Sequence, residues 1–331
     1  MTELTNTSIK GLMLAMTTAV MWGLLPLALK SVLVLMDAYT ITWYRFVFAA
    51  FFVTLLLSAT RKIPRSALQQ TSVMKRLLLA AILLSFNYIL YLVSLHYIPV
   101  ETAQMLIQMA PFFMLLGSVV VMKEHFSRGQ MVGSLVLISG LLLFFNQRFI
   151  SDSGIDNSAM DNHDFLLGFI IMFGAAITWA AYAIIQKQML RYYSSNQIMW
   201  CIYLLSALFF LPLASPEKIM SLDDSALLLL LFCCANTLIA YGTFAKSLEY
   251  LSTAKVSATL AITPLLTVMF ATIAEQIWPS TFQAQQLNVL AYIGAGFVVL
   301  GSMLTALGNR ILNKKNINAL KEYLKFKNNS A

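Results

Sequence analysis

Charge is scarce in this sequence. Only 11% of its 331 residues are charged, against about a quarter in a typical soluble domain, and 59% are hydrophobic. Water cannot be the main solvent of such a surface, so a soluble globular fold is excluded. Histidine is scarcer still, with three residues. His96, His125 and His163 are scattered without the spacing of a zinc site, and the sequence contains no H-E-x-x-H and no G-x-x-x-x-G-K-[ST]. Metal-assisted hydrolysis and P-loop ATP hydrolysis are therefore not expected. No nucleophile motif is present, so no enzyme and no cofactor is anticipated. Of the three cysteines, none stands outside an apolar run: Cys201, Cys233 and Cys234 read as small buried hydrophobes. A cleavable signal peptide is also not expected, because only Lys10 precedes a first apolar run of full-span length.

What is present is a series of long apolar runs. About twenty residues suffice to cross the hydrocarbon core as a helix. Such runs occupy Gly11 to Leu35, Ala38 to Ser58, Lys75 to Leu95, Val100 to Val121 and Gly129 to Gln147. After a polar, acidic stretch come Phe165 to Gln186, Ser195 to Leu213, Ala226 to Leu248, Thr253 to Ala274 and Asn288 to Gly308. Lipid offers no partner to an unpaired backbone group, and the runs lack the ten-residue alternation of a barrel. The expected fold is all-α, a polytopic membrane protein with ten transmembrane helices.

The net charge of +8 is explained by topology. With both termini cytoplasmic, every Lys and Arg except Lys30, Arg45, Arg148 and Lys218 falls on the inner side, while Asp37, Asp152, Asp156, Asp161, Asp164, Glu217, Asp223 and Asp224 fall outside. This pattern points to the inner membrane and a lipid partner, and not to nucleic acid.

The two halves repeat each other. Trp22 and Trp179 are separated by the same number of residues as Trp43 and Trp200. Farther along, Tyr88 matches Tyr241, Ser94-Leu95-His96-Tyr97 matches Ser247-Leu248-Glu249-Tyr250, and Pro111 matches Pro264, all at one constant separation. Gly133 and Gly140 match Gly294 and Gly301. Five spans per repeat is an odd number, so the second repeat enters the membrane inverted. Residues 1–148 form the first repeat, 149–164 an outer connection, 165–308 the second repeat, and 309–331 a basic tail. Inverted repeats are a recurrent plan of secondary transporters.

Trp22-Gly23 in the first span, Arg45-Phe46 in the second, and Pro111 with Glu124 in the fourth, together with Pro264 and Glu275 in the second repeat, resemble the drug/metabolite transporter superfamily, specifically its EamA-type ten-helix exporters. The resemblance covers Gly11 to Gly308. It implies two inverted five-helix repeats around a central cavity lined by helices one, three, four, six, eight and nine. The fifth and tenth helices would lie at the back. It also implies export of a small metabolite, such as an amino acid or an amphipathic compound. A non-transporting sensor or scaffold is the alternative, distinguished by a sealed bundle interior.

Several residues are candidates for the substrate pathway. Glu101, Gln104, Gln108 and Pro111 share one helical face of the fourth span, and such a polar stripe avoids lipid. It either lines a cavity or bonds to a neighbouring helix. Glu101 is either solvated at the outer end or a coupling carboxylate. Asn87 and Tyr91 mark a polar face of the third span. Trp179, Tyr182 and Gln186 do so on the sixth, and Tyr241 with adjacent Asn236 on the eighth. Trp22 sits well inside the first span, and aromatic residues with a polar edge suit amphipathic solutes. Arg45 has three readings: snorkelling to the surface, a structural bond to another helix, or contact with substrate. Pro111 and Pro264 are candidate gating bends. The glycines spaced by seven residues in the fifth and tenth spans permit close packing, against the bundle or against another copy in a homodimer.

Overall fold

The computed structural model of the chain describes residues 2–64, 70–123, 127–147, 162–251, 253–279 and 282–311. Glu124, most of the acidic connection and most of the basic tail lie outside the described residues.

The chain is all helical. In order run α1 (Thr2–Leu33), α2 (Ala38–Ala59), α3 (Thr71–Tyr97), α4 (Val100–Leu106), α5 (Met109–Met122) and α6 (Arg128–Phe144). The second half follows with α7 (Asn162–Met189), α8 (Ser195–Phe210), α9 (Asp224–Tyr250), α10 (Thr253–Leu260), α11 (Thr263–Ile277) and α12 (Val289–Ile311). Among the described residues, eight stretches are long and apolar enough to cross a membrane; α6 and α8 are shorter apolar helices. Two of the eight are broken. The fourth span is α4 followed by α5, and the ninth is α10 followed by α11.

The breaks follow from proline chemistry. Pro111 and Pro264 have no N–H to give the carbonyl one turn earlier. Ahead of Pro111, the chain tightens: Gln108 N–H bonds Met105 O at 3.2 Å and Ala110 N–H bonds Ile107 O at 2.9 Å. Ahead of Pro264, the freed Leu260 carbonyl accepts the Thr263 hydroxyl at 2.6 Å. Leu265 N–H turns to Ile262 O at 3.0 Å, which leaves Ala261 O without its regular helical donor.

Successive spans alternate in direction. The end of the bundle where α1 begins is termed proximal here, and the opposite end distal. The principal partners of the long helices belong to the other repeat: α1 packs on α9, α3 on α7, α2 on α8 and α6 on α12. The α1–α9 and α3–α7 contacts are symmetry mates. A Cβ placed on Gly11 would lie 2.7 Å from Tyr250 Cβ, and one on Gly168 would lie 2.7 Å from Tyr97 Cβ. Only a missing side chain lets each pair approach so closely. The glycines of α6 and α12 are used on each other. A Cβ on Gly140 would lie 2.5 Å from the backbone nitrogen of Val298, and one on Gly301 would collide with Leu137. Both stripes are thus consumed inside one bundle.

A clasp joins the halves at the distal end. Asp37 caps α2 through Thr40 N–H at 3.0 Å and pairs with Lys218 at 2.9 Å. Ser215 N–H bonds Thr40 Oγ1 at 2.9 Å, and the Tyr44 hydroxyl donates to Pro216 O at 2.7 Å. Burial raises the Asp37 carboxyl, but Lys218 and the two Thr40 donors more than offset it and hold the group below the ordinary carboxylate range.

Candidate functional site

A cavity of about 240 Å³ lies where the two broken spans meet. Its wall includes Trp22, Arg45, Asn87, Tyr91, Gln104, Gln108, Pro111, Trp179 and Tyr241. These nine sequence-predicted residues come from six spans in both repeats. On the distal side it is closed by packed apolar residues of α1, α3 and α4: Val32, Leu95, Ile98, Ala103 and Met105 are each 0–1% exposed.

Most polar groups in the wall are committed to neighbouring helices. Asn87 Nδ2 donates to Ala175 O of α7 at 2.9 Å. The Tyr91 hydroxyl donates to Gln104 Oε1 at 2.8 Å, and Gln104 Nε2 reaches Trp22 O at 3.5 Å. Gln108 Nε2 donates at 3.2 Å to Ala261 O, the carbonyl orphaned by the break in the ninth span. Gln104 and Gln108 of the polar stripe thus do both things at once: they bond across helices and stand in the cavity wall.

Arg45 does not snorkel. It is 3% exposed, its Nε donates to Thr237 Oγ1 at 3.0 Å, and its guanidinium carbon lies 4.4 Å from the centre of the Tyr88 ring. Aromatic faces complete the wall. Trp22 meets Tyr241 edge-on at 5.4 Å between centroids and lies 5.8 Å from Phe244.

Four expected pathway residues lie off this wall. Glu101, one turn nearer the distal end than Gln104, is beyond the apolar closure. There its Oε1 accepts Gln285 N–H at 3.1 Å, while Thr102 Oγ1 donates to Gln285 Oε1 at 2.8 Å. The strap between α11 and α12 is thereby fastened to α4. Tyr182 is buried and donates to Met199 Sδ of α8 at 3.2 Å, and Gln186 reaches the same sulfur at 3.4 Å. A side chain of α8 covers the Tyr182 and Gln186 part of the α7 face that sequence assigned to the pathway. Asn236 turns to Met21 O of α1 at 2.6 Å. Pro264 also stays out of the wall, which takes Thr263 instead.

The wall also contains residues that sequence reasoning passed over, among them Tyr88, Phe244, Ser257, Ser302 and Ala306. Tyr88 carried a signal, being the repeat mate of Tyr241. Ser302 and Ala306 belong to α12, so the tenth span is not wholly at the back of the bundle. Arg45 likewise brings the second span into the cavity.

Comparison with known proteins agrees with this architecture. The model of the EamA-like transporter family matches twice, over residues 9–146 and 166–307. The chain is similar to an uncharacterized transporter of Haemophilus influenzae, 39% identical over 308 residues that cover 92% of this chain and 97% of the relative. It is similar also to the uncharacterized inner membrane transporter YhbE of Escherichia coli, 37% identical over 304 residues covering 91% of this chain and 92% of the relative. A solved crystal structure shares the fold with a TM-score of 0.62 at 17% identity, covering 91% of this chain and 99% of that one. Two tandem matches, full-length relatives and a cavity between inverted halves lead to one assignment: the chain belongs to the EamA-like transporter family, and is a membrane transporter.

Proposed function

We propose that this transporter is a secondary exporter of a small amphipathic metabolite or amino acid, working by alternating access across the inner membrane with both termini in the cytoplasm. The inner-membrane placement follows its relative YhbE, and the orientation follows the Lys and Arg distribution.

The observation that carries the mechanism is the meeting of the two broken spans at Gln108 and Ala261, beside a cavity closed on the distal side. Exchanging the conformations of the two repeats would close the proximal side and open the distal one around the same site. Aromatic and aliphatic walls supply the affinity for an apolar body.

Reconstitution in liposomes with labelled amino acids and amphipathic dyes tests this reading. Flux above that of empty liposomes is expected, and folded protein that moves none of them would overturn it. In a cysteine-free background, Ser257→Cys should react with a polar thiol reagent from the proximal side and Tyr182→Cys should be protected. Equal protection of both would favour a sealed scaffold.

A further inference from the structure

We infer that the solute carries a carboxylate on an apolar body, and that Arg45 receives that carboxylate in the cavity. The assignment deepens the transport reading and rests on the same site.

Arg45 is a cation in a nearly dry place without a counter-ion among the described residues. No carboxylate among the described residues forms an ion pair with it, and no Asp or Glu stands in the cavity wall. The acids elsewhere in the described bundle are engaged or distant. Asp37 is held by Lys218, Glu101 lies beyond the distal closure with Gln285, and Asp223 caps the distal start of α9. Charges inside membrane proteins normally find a partner or a watery path, because leaving one bare is costly.

The guanidinium is also held as a receptor would be. The Thr237 hydroxyl donates to Cys233 O at 3.1 Å, so its lone pair is turned to Arg45 Nε. The Tyr88 ring supports the guanidinium plane from one side. With Nε engaged and the ring beneath, the Nη groups remain for a ligand at the cavity face. Two N–H donors in a fixed fork match the two oxygens of a carboxylate.

Several competing donors are already engaged. Asn87 Nδ2, the Tyr91 hydroxyl and Gln108 Nε2 each donate to a protein oxygen. Ser302 Oγ, buried in the wall, has no partner among the described residues. The remaining wall is aromatic and aliphatic, with Trp22, Tyr241 and Phe244 grouped together. A cavity of about 240 Å³ is small beside the ~300–1,000 Å³ of drug-sized sites. One guanidinium balances one carboxylate. A phosphate dianion would leave net negative charge, and a lone ammonium would add to the positive charge already there.

The test is a binding series on the purified full-length protein in detergent at neutral pH, read by intrinsic tryptophan fluorescence. The probes are hydrocinnamate, its amide, phenylpropylammonium and phenyl phosphate. Hydrocinnamate should bind at least about tenfold more tightly than the amide, with the ammonium and the phosphate weaker still. Arg45→Gln should erase the preference and leave affinity for the amide within about threefold. If that variant does not fold, the wild-type series decides alone. Equal affinity for carboxylate and amide, a preference for the ammonium or the phosphate, or no saturable binding of hydrocinnamate would each overturn the assignment. Flux in liposomes separates this from the transport reading. Protein that moves neutral or cationic solutes and ignores carboxylates refutes the anion site alone. Protein that binds hydrocinnamate in an Arg45-dependent way but moves nothing refutes transport alone.

Discussion

Gln108 donates its side-chain amide to the carbonyl of Ala261, and the two residues are 153 positions apart, the separation at which Pro111 repeats as Pro264. Each residue is the other's counterpart across the internal repeat, so the contact lies at the pseudo-twofold axis. The sequence is asymmetric there: a glutamine faces an alanine, and the hydrogen bond runs one way. The donor comes from the first repeat and satisfies a backbone defect in the second.

Gln108→Leu should leave Ala261 O without a donor. A buried polar group that loses its partner costs about 1–3 kcal/mol, so the melting temperature in detergent should fall by several degrees. If the contact is also a pivot, transport in liposomes should drop more than the lost folded fraction explains. A variant as stable and as fast as wild type would show that the bond carries neither role.

Glu101 and Lys30 should prove coupled. Glu101 is 1% exposed, its Oε2 has no hydrogen-bond partner among the described residues, and Lys30 is the cation that attracts it. Removing the lysine strands a buried carboxylate. Lys30→Met should therefore lower stability in the wild-type background and have little effect in Glu101→Gln. A double-mutant cycle on melting temperature measures this, with an expected coupling of about 0.5–3 kcal/mol. Additive effects would mean the two charges do not interact.

Much of this arrangement was legible in the sequence, and the omissions have physical causes. Apolar runs located the spans because lipid forces the backbone into helices. The prolines marked the fourth and ninth spans for bending, but the fourth is interrupted at Ile107 and Gln108, where the chain tightens one turn ahead of Pro111, and not at the ring itself. Helical spacing grouped Trp179, Tyr182 and Gln186 correctly on one face of α7. It could not tell that Met199 of α8 would cover part of that face, because periodicity reports which residues point together and not what they meet. Ser302 was hidden for a related reason. Its helix reads as a glycine-rich packing helix, and one helix presents different neighbours to its different sides. Arg45 showed itself as an anomaly in an apolar run, but only the tertiary fold separates snorkelling from burial.

The α6–α12 seam should not accept side chains. At Gly140 and Gly301 the obstacles are backbone atoms or residues locked to them, which cannot move aside cheaply. Gly301→Val should destabilise by about 1–3 kcal/mol or more through overpacking, whereas a change at Gly296, where a Cβ would meet nothing within 4 Å, should be tolerated. Melting curves of the two variants check the contrast.

The distal clasp should respond to acid. The folded-state pKa of Asp37 is held below its unfolded value, mainly because Lys218 and Thr40 outweigh desolvation. Its contribution is therefore present above the unfolded value of about 3.9 and disappears as pH falls through the lower folded value. Lys218→Met should lower stability by no more than about 1 kcal/mol near neutrality, since the pair is partly exposed. The difference from wild type should shrink below about pH 4. A difference that grows on acidification would have the sign wrong.

The interleaving of the repeats has a consequence for biogenesis. Because α1 finds its main partner in α9, α3 in α7 and α6 in α12, neither half owns a complete core. While the chain is being synthesised, the first five spans must wait in the bilayer, with Arg45 unsheltered by Thr237, until the ribosome delivers the rest. Two fragments severed at the connection between the repeats should each be degraded when made alone and should rescue one another when made in the same cell.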